Sequence, residues 1–599
     1  MHLRMKLVAG LAAAATALLL DGCATAPGSG TVAPVVPAPA VRLHGNVHGG
    51  QQPVSGATIQ LYAVNTTTAK GASTALIAST VLSDASGNWS ITGDYTCPTG
   101  AQVYIAATGG NPGAGANSGI ALIAGLGPCA SLTPSTYIFI NELTTVATVY
   151  ALAPFMADVA HVGAAPANLQ GLVNAFQTEA ALVNTTTGST PGPMLPGNAV
   201  APTVKLYSLA DAIAACINSV SGSSQCAALF AATTTSSSTP ADTVQALVNI
   251  ATQPSNNAAS IYSLITAAAP FEPTLPSTPN DWTLQVNFTG GGLTAPYGLA
   301  VDASGNLWVT NEGAFSVSEF NYLGAPVSSY SGGGLLAPQA IAVDLSGNIW
   351  VANTGASSVV KLSNSGAVLS GSGGFTNGGI GAAAGIAVDK AGDAWVANFD
   401  MDSITELDPS GNPLNSSPIV EATGSAPVAI SIDPSGNVWV SNSGTGNVGQ
   451  FSGTGVQASG SPFTDGYLQG GTQVANSSTG NAFVAAPGTS EVSAFAASGT
   501  PLPVSPLTGG GANLPMSVAL DGADTIWVAN AVAAGSVSAF TQAGVALTPA
   551  TGLGLANAPM GIAIDASGNV WTANSGNNTL TEFVGLAAPV VTPIAARIH

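Results

Sequence analysis

The sequence predicts a multidomain, mainly β protein: a C-terminal seven-bladed β-propeller, an N-terminal β-sandwich and a small α-helical domain between them. Three observations lead to this fold class. A motif first written GLAVDASGNLWVTN, from Gly298, occurs seven times in the second half of the chain. Short alternating strands bounded by Gly and Pro precede residue 130. Apolar residues at i, i+3, i+4 and i+7 then indicate helices.

The length and the net charge of the chain limit the number of domains and the classes of partner that we expect. A chain of 599 residues is too long for one core. Its 8 basic and 28 acidic residues give a net charge of −20, which opposes binding to nucleic acid phosphates. We therefore expect several domains and no nucleic acid partner. The expected segments are a leader (1–22), a tether (23–40), a sandwich (41–130), a helical domain (131–272), a linker (273–281) and the propeller (282–590).

The N-terminus has the pattern of an export signal. Arg4 and Lys6 precede an apolar run, Leu7 to Leu20, which is short for a membrane span. The run ends in Leu-Asp-Gly-Cys, which resembles the lipobox of bacterial lipoproteins, although the Asp departs from the usual pattern. The resemblance implies lipidation of Cys23, a Pro-rich tether after it, and a place at the outer membrane or cell surface. The alternative is an ordinary signal peptide with an incidental cysteine.

The remaining cysteines favour an oxidising compartment. Once Cys23 is assigned to the lipid, four cysteines remain, two in each of two predicted domains. We therefore predict the disulfides Cys97–Cys129 and Cys216–Cys226.

The first domain is predicted to be a small sandwich. Its sequence contains Gly45-x-Val47, then Pro53-Val54-x-Gly56-Ala57, then Asp84-x-x-Gly87-x-Trp89. These motifs resemble a carboxypeptidase-regulatory-like domain of transthyretin or immunoglobulin type. His44 and His48 could form a metal pair, but solvent-facing histidines on an edge strand are the preferred interpretation, because no third ligand lies nearby.

The second domain is predicted to be a bundle of four or five helices. Glu142 and His161 are its only obvious acid–base candidates. A single Glu in a helix is usually a capping or surface residue, so we assign no catalytic role to either side chain.

The repeat has the period of a propeller blade. Its aromatic markers Trp308, Trp350, Trp395, Trp439, Phe483, Trp527 and Trp571 are 42 to 45 residues apart. Each unit predicts an inner strand, a Ser-Gly-Asn hairpin, and a second strand whose Trp packs between blades. The last unit lacks a fourth strand, which Trp282–Phe288 would supply, closing the ring without a free edge. The units resemble NHL repeats and the virginiamycin B lyase-like propellers.

The lyase resemblance implies a histidine base and a magnesium site. No His lies between His161 and His599, so that activity is not carried over. One residue recurs at each hairpin, and we interpret it as structural: Asp302, Asp344, Asp389, Asp433, Asp521 and Asp565. Another recurs at the end of the second strand, where it could line a polar binding face or cap a turn: Asn311, Asn353, Asn398, Asn442, Asn530 and Asn574.

Two units depart from the common pattern. The third has an acidic cluster that could hold Ca²⁺, or could be an exposed acidic loop and strand: Asp400, Asp402, Glu406 and Asp408. The fifth has Asn476 for Asp, Phe483 for Trp and Ala486 for Asn, in a hairpin that we expect to be one residue longer.

We therefore expect an exported, lipid-anchored protein whose propeller is a binding platform for a protein or a glycan. Catalysis is not expected, and Ca²⁺ is the only cofactor considered. One alternative is a lyase or hydrolase that works with carboxylates and a divalent metal. The other is a passive envelope scaffold with no specific ligand.

Overall fold

The computed structural model describes residues 43–92, 95–266 and 269–597. The predicted leader, tether and lipidation site at Cys23 lie outside these residues. The described chain is mainly β with few helices. None of the helices in these ranges combines the length and the apolar character needed to cross a membrane.

The N-terminal strands form two sheets. In the first, β1 lies between β2 and β6 and also pairs in parallel with β9. In the second, β3 pairs with β4, β5 and β7, and β8 pairs with β7. Since β9 follows residue 130, this strand system extends past the predicted boundary. The strands are β1 Leu43–Gly49, β2 Gln52–Pro53, β3 Thr58–Ala63, β4 Thr74–Ala75, β5 Val81–Leu82, β6 Asn88–Ile91, β7 Gln102–Thr108, β8 Ala121–Pro128 and β9 Tyr137–Ile140.

Six α-helices follow in the described residues, where four or five were predicted. The missed helix is α4, whose first turn is capped by the Ser223 hydroxyl accepting from the Cys226 amide (3.2 Å). Short strands β10 Met156–Asp158, β11 His161–Val162 and β12 Ala199–Val200 interrupt the helices. The helices are α1 Glu142–Leu152, α2 Leu169–Leu182, α3 Thr203–Ile217, α4 Ser224–Thr233, α5 Thr243–Thr252 and α6 Ala258–Tyr262.

Helices and N-terminal strands share one core, because their buried apolar residues form a continuous cluster. The hydroxyls of Thr145 and Thr148 on α1 accept from the amides of Ile123 and Gly125 on β8, both at 3.0 Å. Both predicted disulfides are confirmed: Cys97–Cys129 joins the loop before β7 to the turn after β8, and Cys216–Cys226 joins α3 to α4.

The repeats form seven small antiparallel sheets in the described chain, here numbered in chain order. Sheet 1 is β14 Pro296–Val301, β15 Leu307–Asn311, β16 Ser316–Phe320 and β17 Pro326–Tyr330. Sheet 2 is β18 Pro338–Val343, β19 Ile349–Asn353 and β20 Ser358–Leu362. Sheet 3 is β21 Ala383–Val388, β22 Ala394–Asn398, β23 Ser403–Leu407 and β24 Ile419–Val420. Sheet 4 is β25 Pro427–Ile432, β26 Val438–Asn442 and β27 Asn447–Phe451.

The last three sheets continue this order. Sheet 5 is β28 Val474–Asn476, β29 Ala482–Ala486 and β30 Glu491–Phe495. Sheet 6 is β31 Pro515–Leu520, β32 Ile526–Asn530, β33 Gly535–Phe540 and β34 Leu553–Ala556. Sheet 7 is β35 Pro559–Ile564, β36 Val570–Asn574 and β37 Thr579–Phe583. Its fourth strand, β13 Gln285–Phe288, comes from before the first repeat and pairs with β37, as the sequence predicted.

The sheets pack through their aromatic markers, which makes this part of the chain a propeller. Trp308 of sheet 1 packs against Ile341 and Val343 on the first strand of sheet 2. Trp395 meets the first strand of sheet 4 in the same way. The first strands contact one another in chain order, and β35 also contacts β14.

The propeller has two faces, set by the direction of its strands. On one face each first strand begins and each second strand ends; we call this the open face. The opposite face carries the Ser-Gly-Asn turns between first and second strands, and we call it the hairpin face.

Candidate functional site

The repeated hairpin aspartates are used within the fold. The Asp433 carboxylate accepts from the backbone amides of Ser435 and Asn437, both at 2.9 Å. Its second oxygen accepts from the Asn437 side chain (2.9 Å) and from the Trp439 indole (3.2 Å). The same indole bond recurs in sheets 1, 2, 6 and 7. These carboxylates therefore hold the turn and orient the Trp.

The repeated asparagines are buried, so they cannot form the polar binding face that the sequence allowed. Each of the six is at most 1 % exposed. Asn353 shows their role: its amide donates to the Ser358 hydroxyl and the Gly334 carbonyl, both at 2.8 Å. Its carbonyl oxygen accepts from the Leu336 amide. These side chains tie the end of the second strand to the loop that leads into the first strand of the same sheet and to the start of the third strand.

The four acidic residues predicted as a cluster do not come together. Asp400 is exposed in a short 3₁₀ turn on the open face. Asp402 accepts from the amides of Gly424 (2.7 Å) and Ala426 (2.9 Å) on the same face. Asp408 holds a turn on the hairpin face, and Glu406 is buried on the strand between them.

Glu406 instead meets two hairpin carboxylates. Oxygens of Asp389, Asp393 and Glu406 lie within 4.8 Å of one another. In sheet 3 alone the hairpin Asn of the common motif is Asp393, so a carboxylate replaces an amide donor. The pKa of Glu406 is raised to about 7, because burial and the neighbouring Asp393 and Asp389 raise it by more than the Asn415 amide lowers it. Three hard oxygen donors are the kind of ligand that Ca²⁺ takes.

The fifth sheet keeps the common hairpin length. Val474 lies opposite Val484 just as Ile430 lies opposite Val440 in sheet 4. Ser477 therefore occupies the place of the Asp, and its hydroxyl accepts from the Asn481 amide (3.1 Å). The expectation of an extra residue with Asn476 in place of the Asp was wrong, because Asn476 pairs with Ala482 and is the last residue of the strand, as Ile432 is in sheet 4.

The remaining polar candidates have ordinary partners. His44 lies edge-on to Tyr137, and His48 lies 5.1 Å from the Phe139 ring. Burial lowers the pKa of His48. The His161 ring is 2.8 Å from the Asp158 carboxylate.

The first strands of the sheets surround a central channel, which has one mouth on each face. A cavity of about 430 Å³ lies at the open-face mouth. Its wall includes Thr354 and Phe399 from the loops after second strands. Most of the wall comes from first strands. In six of the sheets, one lining residue directly follows the first residue of that strand: Tyr297, Gln339, Ala384, Val428, Met516 and Met560. The repeats differ from one another at this position, so it gives the mouth an individual surface.

The C-terminal segment of the chain lies at the opposite mouth. A second cavity, about 440 Å³, is lined by the C-terminal segment Val590–Arg597. The Thr592 hydroxyl donates to the Asp302 carbonyl (2.8 Å), and the Arg597 guanidinium donates to the Leu520 carbonyl (3.1 Å).

Helix α2 also lies against the hairpin face. The Asn174 amide donates to the Ser304 carbonyl (3.0 Å), and the Asn168 amide donates to the Val590 carbonyl (3.2 Å). Gly171 packs so closely on the Ala566 carbonyl that no larger residue would fit there. The helical region therefore occupies the hairpin face at sheets 7 and 1.

Large apolar side chains surround the open-face mouth. They lie on the loops that join second to third strands and one sheet to the next, and each is 39 % to 56 % exposed: Phe315, Leu336, Phe399, Met401, Tyr467 and Leu514. We call this set the apolar rim. Sequence reasoning missed it because exposure is decided by loop placement.

No family model and no curated protein matches the chain. A solved streptogramin B lyase is 18 % identical, covering 50 % of this chain and 97 % of its own, with a TM-score of 0.41. A virginiamycin B lyase from Staphylococcus aureus is 17 % identical, covering 50 % and 98 %, with a TM-score of 0.42. The extracellular domain of a one-component system from B. thetaiotaomicron is 15 % identical, covering 48 % and 39 %, with a TM-score of 0.38. Similarity at this distance assigns no activity to this chain.

Proposed function

We propose that the protein is an exported binding protein whose open face recognises a protein or a glycan of the cell surface or envelope. One observation carries the proposal: the loops of the open face expose the large side chains of the apolar rim, whereas α2 and the C-terminal segment pack against the hairpin face. Soluble proteins seldom expose clustered apolar residues unless they serve an interaction.

We further propose that the seven repeat sheets are the seven blades of a closed propeller. The contact of β35 with β14 and the pairing of β13 with β37 support closure. We assign the two N-terminal sheets to a carboxypeptidase-regulatory-like sandwich, on the motifs around Gly45, Pro53 and Asp84.

For the location we propose export with a lipid on Cys23. The two disulfides support an oxidising compartment. The lipobox-like Leu-Asp-Gly-Cys and the Pro-rich stretch that follows it support a tethered anchor at the outer membrane or cell surface.

The test is retention of an envelope component by the full-length protein. Phe399→Ser removes a rim side chain that is 40 % exposed, and Leu345→Ser removes a hairpin-face side chain that is 47 % exposed. We expect extract components to be retained by the wild type and by Leu345→Ser, and to be lost with Phe399→Ser. If nothing is retained, or if the two variants behave alike, the passive scaffold becomes the better account.

A second candidate function is metal-assisted chemistry by carboxylates. The convergence of Asp389, Asp393 and Glu406 is the observation that favours it. These residues lie toward the hairpin face, away from the open-face cavity, so a metal held there would act at a separate place.

A further inference from the structure

We infer that the partner of the open face is a cationic, amphipathic polypeptide segment. This assignment rests on the proposed function and narrows it to one class of ligand. Three features of the face lead to it: apolar residues at positions where the fold does not require them, carboxylates without basic neighbours, and a cavity with an uncharged lining.

Two rim residues occupy backbone positions that disfavour large side chains. Phe315 has φ +52°, and the equivalent residues of sheets 2 and 5 are Ser357 and Ser490. Leu514 also has φ +52°, where five other units have Ala. L-residues rarely adopt this left-handed conformation, and bulky ones least of all. Because both side chains are exposed, packing does not explain them, and a role at the surface does.

The loop between the second and third strands of sheet 3 also carries large apolar residues where the equivalent loop of sheet 2 has small ones. Sheet 2 has Thr354-Gly355-Ala356 there, whereas sheet 3 has Phe399-Asp400-Met401. All three residues of the sheet 3 loop are exposed, and Phe399 also lines the cavity. One loop thus presents two large apolar groups with a carboxylate between them.

The basic residues of the propeller lie toward its hairpin face, beside the hairpin aspartates. Between residues 282 and 597 the basic residues are Lys361, Lys390 and Arg597. Lys361 donates to the Pro409 carbonyl (2.8 Å) in a turn of the hairpin face, and Arg597 lies 4.0 Å from Asp524 there. Lys390 lies within the hairpin of sheet 3. The open face carries carboxylates that are at least partly exposed, in its loops and, for Glu491, at the start of β30: Glu312, Asp400, Asp402, Asp465 and Glu491.

A polypeptide fits this surface better than a glycan does. Leu336, Met401 and Leu514 are removed from water when apolar side chains of a polypeptide cover them, which is favourable. Sugars, in contrast, stack mainly on aromatic rings. Methionine is also common at surfaces that bind peptides. The carboxylates would repel an acidic glycan, and they would provide no electrostatic attraction for a neutral one. A segment with Lys or Arg beside Leu or Phe would satisfy both rim and carboxylates, with an apolar side chain inserted into the cavity.

The probe is a synthetic Lys/Leu amphipathic peptide, titrated calorimetrically into the full-length protein at physiological salt. A Lys/Ser peptide keeps the charge, and a Glu/Leu peptide keeps the apolar groups. We expect one-to-one binding of the Lys/Leu peptide, binding of the Lys/Ser peptide that is about tenfold weaker or more, and no binding of the Glu/Leu peptide. Equal binding of the two basic peptides, or no binding at all, overturns the inference.

Matched variants locate the binding. Asp400→Asn should weaken it by about two- to fivefold, and Glu272→Gln, an exposed carboxylate outside the propeller, should leave it unchanged. Phe399→Ser should weaken it about fivefold or more, and Leu345→Ser should not. If the control variants weaken binding equally, the peptide is held by net charge alone and the inference fails.

The retention assay separates this inference from the proposed function. A retained component that depends on Phe399 but is a glycan or an acidic protein overturns the cationic partner and leaves the binding platform intact. Loss of every Phe399-dependent component overturns both.

Discussion

Glu142, at the start of α1, is a carboxyl group fully buried between helices and strands. Neither of its side-chain oxygens has a hydrogen-bond partner among the described residues. Its pKa is raised to about 7, because burial and the charge of Asp211 raise it by more than the nearby backbone amides of Gly50 and Glu142 lower it. The group is therefore protonated in mildly acidic solution. Sequence reasoning had treated Glu142 as a capping or surface residue, but the cap of α1 is Asn141.

Glu142 should make folding stability depend on pH. Its pKa is about 7 when folded and about 4.5 when unfolded, so the folded state binds more protons between these values. Stability should therefore fall as pH rises from 5 to 8, by at most a few kcal/mol at about 1.4 kcal/mol per pKa unit. Glu142→Gln should reduce this dependence in urea melts at pH 5 and pH 8, whereas exposed Glu272→Gln should not. An unchanged slope in Glu142→Gln would contradict the assignment.

The repeated Asp and Asn show what the sequence reveals about single residues. The role of the Asp was predictable, because a turn with Asp before Ser-Gly-Asn has a known local hydrogen-bond pattern. The burial of the Asn was not, because its partners, such as Gly334 and Ser358 for Asn353, lie on other segments. The sequence around a polar side chain at a strand end does not indicate whether that side chain faces water or a neighbouring loop.

In the third sheet, the carboxylates that are close in sequence are not the ones that come together in the structure. Asp402 and Asp408 lie at opposite ends of β23, which at about 3.3 Å per residue separates them by about 20 Å. Antiparallel pairing places Glu406 opposite Trp395, beside the Asp389–Asp393 hairpin. Comparing copies position by position would have singled out Asp393, the one hairpin Asp that replaces Asn.

Ca²⁺ should stabilise the protein through this hairpin. At a Ca²⁺ concentration tenfold above Kd, the gain is about 1.4 kcal/mol, visible as a rise in Tm. The rise should shrink as pH falls below about 7, because Glu406 is then protonated. Asp393→Asn should abolish it, while Asp400→Asn, in the same sheet but outside the trio, should not. A Ca²⁺ response that survives Asp393→Asn would place the ion elsewhere.

At the scale of the molecule, the propeller was predictable from its period, its aromatic markers and the strand that completes sheet 7. The use of its two faces was not. Helix α2 and the C-terminal segment reach the hairpin face through contacts such as Asn174 to Ser304 and Thr592 to Asp302. Such contacts join segments that are distant in sequence, and they do not recur from one repeat to the next. No local sequence pattern therefore predicts them.

This division of faces leads to the central claim, that recognition occurs on the open face. The most direct measurement is photocrosslinking in intact cells, with a photoreactive phenylalanine analogue in place of Phe399 or, as the control, in place of Leu345. We expect a crosslinked envelope component from position 399 and none from position 345. Crosslinking from position 345 alone would contradict it.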